Sequence, residues 1–100
     1  MQDYILLMHN DADHLQSEGN ADLWSRYLDA LKASGCFQGG SAIGSGACVS
    51  KAGTRANITG HLAGYIRISA RDLNHAQELV LGNPVYEAGG TVEIRELPKS

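Results

Sequence analysis

The chain has 100 residues, of which 43% are hydrophobic, and its formal net charge is −3. This length provides for one compact domain, over residues 1–100, with one modest core. Its eight Lys and Arg are scattered along the sequence, which excludes the concentrated basic face that nucleic-acid binding requires. No apolar run reaches the roughly 18 residues of a membrane span, and the first residues lack the positive charge of a secretory signal. The sequence therefore predicts a soluble, cytoplasmic protein without a membrane segment.

A short apolar run opens the chain at residues 4–8 and ends at the polar, turn-like residues 10–13. It is too short for a core helix, so we expect a central strand. From Asn20 onward, apolar residues recur at intervals of three and four, which predicts an amphipathic helix over residues 21–34. Asn20 can cap the first free amides of this helix, and Gly35 can adopt the left-handed conformation that ends it.

The middle of the chain is rich in glycine, over residues 39–46. It leads into two short stretches, residues 47–49 and 56–59, on either side of a turn at residues 51–54. We expect a weak hairpin with flexible shoulders, because glycine weakens a strand and often marks a bulge or a close backbone approach.

The last third of the chain alternates between strand and helix signals. Residues 62–68 and 91–97 show the period-two alternation of half-buried strands. Between them, Asp72 can cap a second helix, which ends at residues 82–84. The complete order, β-α-β(hairpin)-β-α-β, predicts an α+β, ferredoxin-like domain. Such a domain has a four-stranded antiparallel sheet with two helices on one face, here with a small hairpin added.

The second face of the predicted sheet has its own composition. If the apolar residues of the last two strands meet the helices, the opposite face carries Tyr65, Arg67, Glu93 and Arg95. A chain this short gains by covering such a face with a second copy, which predicts a homodimer. These side chains then form an ion-paired interface or, alternatively, a cationic pocket for a small carboxylate, which arginine grips with two parallel hydrogen bonds.

Several of these features occur together in one known family. They are the N-terminal strand, the helix closing at Ser34 and Gly35, the Gly39 and Gly40 step, the stretch 62–66, the helix at Asp72, and the closing motif at residues 89–95. With them the chain resembles the YCII-related family, in particular its DGPF branch, over most of its length. The resemblance implies a subunit that pairs sheet face to sheet face in a dimeric α+β barrel. Some members are implicated in dehalogenation or lactone chemistry, and a His–Asp pair has been proposed as the active site of the YCII branch.

Two departures separate this sequence from the family pattern. The Asp-Gly-Pro-Phe motif that names the branch is absent, and the equivalent stretch is residues 57–61. Trp24 and Ala33 occupy the positions that align with the histidine and the aspartate of the proposed YCII pair. The family's His–Asp pair therefore does not carry over to this chain.

Three other polar residues are candidates for acid–base chemistry: His9, Asp11 and His61. The first two lie at the end of the first strand, and His61 begins a strand expected to neighbour it. Histidine exchanges protons near neutral pH, and Asp11 can orient His9 or His61. Solvated loop residues with local hydrogen bonds are the alternative. His9, Asp11 and His14 also offer three metal ligands, but their spacing matches no established zinc loop, so we predict no metal.

Five further residues are candidates for substrate binding: Trp24, Ser41, Tyr65, Arg67 and Arg95. Trp24 either lines a pocket beside His9 or packs in the core. Aromatic residues at helical spacing usually belong to the core. Ser41, in a Gly-Gly-Ser step, either helps to cradle an anion or lies in a bulged strand.

Two functions of different class follow. The first is a cofactor-independent small-molecule enzyme of lyase, isomerase or dehalogenase type, in which a histidine moves the proton and Asp11 orients it. Arg67 or Arg95 then anchors a small acidic substrate. The second is a non-catalytic, small-metabolite-binding or accessory module. In both, the expected macromolecular partner is a second copy of the chain.

Overall fold

The computed structural model describes residues 1–12, 20–56 and 58–99. In chain order, its elements are β1 (Gln2–His9), α1 (Asn20–Ala33), β2 (Phe37–Ala42), β3 (Cys48–Ser50), β4 (Gly53–Arg55), β5 (Leu62–Ala70), α2 (Leu73–Glu78), α3 (Pro84–Glu87) and β6 (Thr91–Leu97). Four strands form one antiparallel sheet in the order β2-β5-β1-β6, and β3 and β4 form a separate hairpin. Each helical crossover joins two strands that have one other strand between them, so the predicted ferredoxin-like α+β fold is confirmed.

The helices cover one face of the sheet. Alternation along β1 directs Tyr4, Leu6 and Met8 to this face, where their exposed fractions are 4%, 0% and 4%. The register places Ile66 and Ile94 on either side of Leu6. Together with residues from the helices they form one core, whose buried members are Tyr4, Leu6, Met8, Tyr27, Leu31, Ile66, Ile68, Ala70, Ala76 and Val80.

Helix α1 matches its prediction to within one residue at each end. Gly35 follows it with a φ of +79°, the left-handed conformation expected at a helix end. On its buried side, Tyr27 donates a hydrogen bond from its hydroxyl to the Leu79 carbonyl at 2.7 Å. This bond ties α1 to the segment that follows α2.

The second predicted helix is divided in two. Asp72 caps α2 as predicted, since its Oδ1 accepts from the His75 amide at 2.8 Å. A separate helix, α3, begins at Pro84, and the side-chain oxygen of Asn83 accepts from the amides of Val85 and Tyr86. Proline is favoured at the first position of a helix, because the amide hydrogen that it lacks would have no partner within the helix.

Strand β2 differs from the sequence prediction. The hairpin at residues 47–59 was expected to supply the second strand of the sheet, but the glycine-rich segment Phe37–Ala42 pairs with β5 and the hairpin stays outside the sheet. Glycine permits a close approach at this point. A Cβ added to Gly40 would lie 2.5 Å from the Tyr65 carbonyl oxygen. The predicted bulge is also present, because the register shifts between Phe37 and Gly39.

The other face of the sheet, which we call the open face, presents rows of side chains that run across the strands. One row consists of Ser41, Tyr65, Leu7 and Glu93, and the next of Arg67, Ile5 and Arg95. This is the composition that alternation predicts for the face away from the helices. None of the helices in the described ranges is long and apolar enough to cross a membrane.

Candidate acid–base site

His9 is the last residue of β1, and its position depends on an irregularity in the pairing of β1 with β5. The register shifts between Met8 and His9, so that His9 pairs with Leu62, and the Asn10 amide donates to the His61 carbonyl. Irregularities of this kind redirect side chains at the ends of strands. The result is that His61, the residue just before β5, lies beside His9.

The two histidine rings meet edge to face. Nδ1 of His9 lies 3.1 Å from Nδ1 of His61, and the ring planes make an angle of 69°. His9 is only 8% exposed, whereas His61 is an exposed residue. The contact therefore joins a buried imidazole to one that faces solvent.

A carboxylate from β6 holds the other nitrogen of His9. Nε2 of His9 lies 2.9 Å from Oε1 of Glu93, and Nη1 of Arg95 donates to Oε2 of Glu93 at 3.0 Å. Because His9 pairs with Thr91 across the sheet, Glu93 reaches it as a diagonal neighbour on the open face. The hydrogen bonds from His9 and Arg95 lower the pKa of Glu93 below its usual value, so Glu93 is ionised at neutral pH.

Asp11 was predicted to orient His9 or His61, but its carboxylate binds Thr91 instead. Its Oδ1 accepts from the Thr91 amide at 2.8 Å, and its Oδ2 accepts from the Thr91 hydroxyl at 2.6 Å. These bonds lower the pKa of Asp11, and the charge of nearby His61 adds a smaller effect in the same direction. Asp11 therefore fastens the start of β6 beside the end of β1, and the carboxylate that contacts His9 belongs to Glu93.

The two predicted substrate-binding arginines have different surroundings on the open face. Arg67 is exposed and donates from Nη2 to the Gln38 carbonyl at 3.0 Å. Arg95 is engaged with Glu93, so its first role is to hold that carboxylate. Arg67 is thus the better placed of the two for an incoming anion.

Trp24 lines a cleft of about 410 Å³ on the helix-covered side of the sheet. The cleft is lined by Met8, Trp24, Leu28, Phe37, Gly40, Ser41, Ala42, Ala63, Gly64, Tyr65, Ile66 and Val85. A role for Trp24 in substrate binding stays a prediction, and Ser41 and Tyr65, although they lie in a row of the open face, also belong to this lining. His9 does not, because alternation along β1 sends Met8 to the helix side and His9 to the open face. The predicted site residues are therefore divided between two places.

The metal hypothesis involving His9, Asp11 and His14 extends beyond the described residues, because His14 lies in the range 13–19. Within the ranges that the structure does describe, no group of three or more His, Cys, Asp or Glu side chains is arranged to hold a metal ion.

The sheet order and the single helical layer define a small ferredoxin-like α+β protein. Residues 2–99 match the family model of the YCII-related domain, so the chain belongs to that family. A similar solved structure is 5-chloro-2-hydroxyhydroquinone dehydrochlorinase (TftG) from Burkholderia phenoliruptrix AC1100, in complex with 2,5-dihydroxybenzoquinone. The two chains are 17% identical over 97% of this chain and 95% of the other, with a TM-score of 0.55, a likeness of fold. No curated protein matches the chain.

Proposed function

We propose that this protein is a cofactor-independent small-molecule enzyme of lyase, isomerase or dehalogenase type, in which His9 and His61 move the proton. The observation that supports it is the 3.1 Å contact between Nδ1 of buried His9 and Nδ1 of exposed His61. Imidazole exchanges protons near neutral pH, and a hydrogen bond on one ring nitrogen determines what the other nitrogen can do.

One such base serves all three types of reaction. In an isomerisation, the base takes a proton from one position of the substrate and returns it at another. In an elimination of hydrogen chloride, the electrons of the broken C–H bond form the new π bond, and chloride leaves with the electron pair of the C–Cl bond. The structural neighbour is named a dehydrochlorinase and holds a small quinone, which supports testing this elimination first.

We place the substrate on the open face, near the histidine pair. Exposed Arg67 offers a cation for a carboxylate or phenolate, and Tyr65 lies in the next row. A second copy of the chain, pairing through the open face, would exclude water from the reacting groups. The homodimer is therefore part of this proposal, as are a cytoplasmic location and membership of the DGPF branch.

Release of chloride tests the proposal. Wild-type protein is incubated with 5-chloro-2-hydroxyhydroquinone and with a panel of chlorinated phenols and chloro acids, and chloride is measured by ion chromatography. We expect turnover, and a loss of about 100-fold or more in His9→Gln and His61→Gln, the usual contribution of general acid–base catalysis. His75→Gln is the matched control, because this histidine lies in α2 and contacts the Arg71 amide. Full activity in His61→Gln would contradict the proposal.

The apolar cleft favours a second candidate, a non-catalytic module that binds a small metabolite. Its volume of about 410 Å³ falls within the range of small-molecule pockets, which are mostly apolar. Trp24 is the sole tryptophan of the chain, so its fluorescence reports on a ligand in the cleft. Titration with 2,5-dihydroxybenzoquinone, followed by fluorescence and calorimetry, distinguishes the two candidates. Binding that Trp24→Ala abolishes and His61→Gln leaves unchanged, without turnover of any substrate, supports the module.

A further inference from the structure

Four side chains form one continuous series of polar contacts across the open face, from Arg95 through Glu93 and His9 to His61. The three contacts measure 3.0, 2.9 and 3.1 Å. We infer that Glu93 and Arg95 are positioning residues for the histidine pair, and that Nε2 of His61 is the atom that takes the substrate's proton. This inference rests on the proposed function, since it assigns roles within the same proton transfer.

Counting hydrogens along the series leads to this assignment. An ionised carboxylate only accepts hydrogen bonds, so Nε2 of His9 must carry the hydrogen in its contact with Glu93. In a neutral His9, Nδ1 then has a lone pair and accepts. The hydrogen between the two rings must therefore belong to Nδ1 of His61, and a neutral His61 has its own lone pair on Nε2. One carboxylate thus determines the tautomers of two imidazoles.

The same arrangement can hold the proton once it has been taken. When Nε2 of His61 gains a proton, the Nδ1–H bond of His61 can break while an Nδ1–H bond forms on His9. The positive charge then lies on His9, directly against Glu93. His9 is 8% exposed, so solvent screens this ion pair less than it would an exposed one. The reverse transfer returns the proton through Nε2 of His61.

Each carboxylate near the site has a separate task. Both oxygens of Asp11 accept hydrogen bonds from Thr91, so Asp11 is not placed to substitute for Glu93. Arg95, whose side chain is 68% exposed, donates to Oε2 of Glu93 and leaves Oε1 for His9. Arg95 therefore limits rotation of the carboxylate, and its loss should weaken the tautomer preference without removing it.

Two measurements test these roles without any turnover. Imidazole ¹⁵N NMR identifies the hydrogen-bearing nitrogen of each histidine, and diethyl pyrocarbonate, a small acylating agent, reports the reactivity of Nε2 of His61 by mass spectrometry. His75 in the same molecule is the internal reference for the labelling rate. In wild type we expect hydrogen on Nε2 of His9 and on Nδ1 of His61.

The variant Glu93→Leu removes the acceptor, and Glu96→Leu is its control, at an exposed position three residues further along the same strand that pairs with Tyr4. We expect mixed tautomers on both rings in Glu93→Leu. We also expect labelling of His61 to slow by about tenfold or more, the factor that matches the loss of one charge-assisted hydrogen bond. In Glu96→Leu both readouts should equal those of wild type.

Arg95→Gln keeps the test decisive if Glu93→Leu fails to fold, since it alters only a surface group. A partial shift towards mixed tautomers supports the inference. Wild-type tautomers and labelling in either folded variant would overturn it. Failure of the acid–base proposal can be distinguished from failure of this inference. The acid–base proposal fails if His61→Gln releases chloride at the full rate, whichever tautomers the two histidines adopt.

Discussion

Gly40 offers a direct test of how closely β2 approaches β5 beside the cleft. It pairs with Ile66, and a Cβ at this position would lie 2.5 Å from the Tyr65 carbonyl oxygen and 3.1 Å from the Ile66 Cα. Both are backbone atoms, so neither can rotate away as a side chain would. Gly40→Ala therefore has to push the two strands apart.

The expected cost follows from this distance. Restoring a carbon–oxygen separation of about 3.3 Å requires the strands to part by about 0.8 Å at this pair. Such a displacement stretches the one or two nearest ladder hydrogen bonds, each of which contributes about 0.5–1.5 kcal/mol. We expect Gly40→Ala to lower the free energy of unfolding by about 1–3 kcal/mol, which is also the usual cost of overpacking.

Urea unfolding, followed by the fluorescence of Trp24, measures this change. The control is Gly44→Ala, in the same glycine-rich segment, where an added Cβ meets nothing within 4 Å. Its free energy of unfolding should stay within about 0.5 kcal/mol of wild type. An equally small change in Gly40→Ala would refute the close approach of β2 to β5 at this position.

Two further predictions concern hydrogen bonds outside the histidine pair. The folded-state pKa of Asp11 lies below its ordinary value of 3.8, so its contribution to stability is full above that pH and is lost as pH falls through the lower folded-state value. Asp11→Asn should make urea stability less dependent on acid pH, with some dependence left from Glu93, and an unchanged pH profile would contradict the Thr91 contacts. Asn83 is fully buried and caps α3, so Asn83→Ala should cost about 1–2 kcal/mol in the same assay. Exposed Asn74→Ala should cost much less, and equal losses would argue against the cap.

The parts of the fold that could be predicted are those in which side-chain periodicity reports the environment. Helix α1 and strands β5 and β6 each bury one side and expose the other, so their apolar residues recur with the period of the element. Strand β2 escapes this rule, because Gly39 and Gly40 contribute backbone and almost no side chain. Helix α3 is similarly hidden, since four residues are too few to show a period, and only the Asn83–Pro84 step signals its start.

The candidate site was predictable in its histidines and not in its carboxylate. His9 and His61 both lie at strand ends that the sequence brings together, and their side chains do meet. Proximity in sequence favours Asp11 as the partner, whereas Glu93 is 84 positions from His9. The sheet order supplies the missing information. Once β6 lies next to β1, the alternation that places Val92 and Ile94 inward directs Glu93 to the same face as His9.

The two candidate sites lie on different sides of the sheet, so the two proposed functions can be tested separately. Trp24 lines a cleft on the helix-covered side, and the His9–His61 pair lies on the open face. Binding at one place and proton transfer at the other are therefore independent properties of the molecule. A ligand that changes Trp24 fluorescence without altering the histidine tautomers occupies the cleft alone, whereas one that shifts the ¹⁵N signals of His61 has reached the acid–base site.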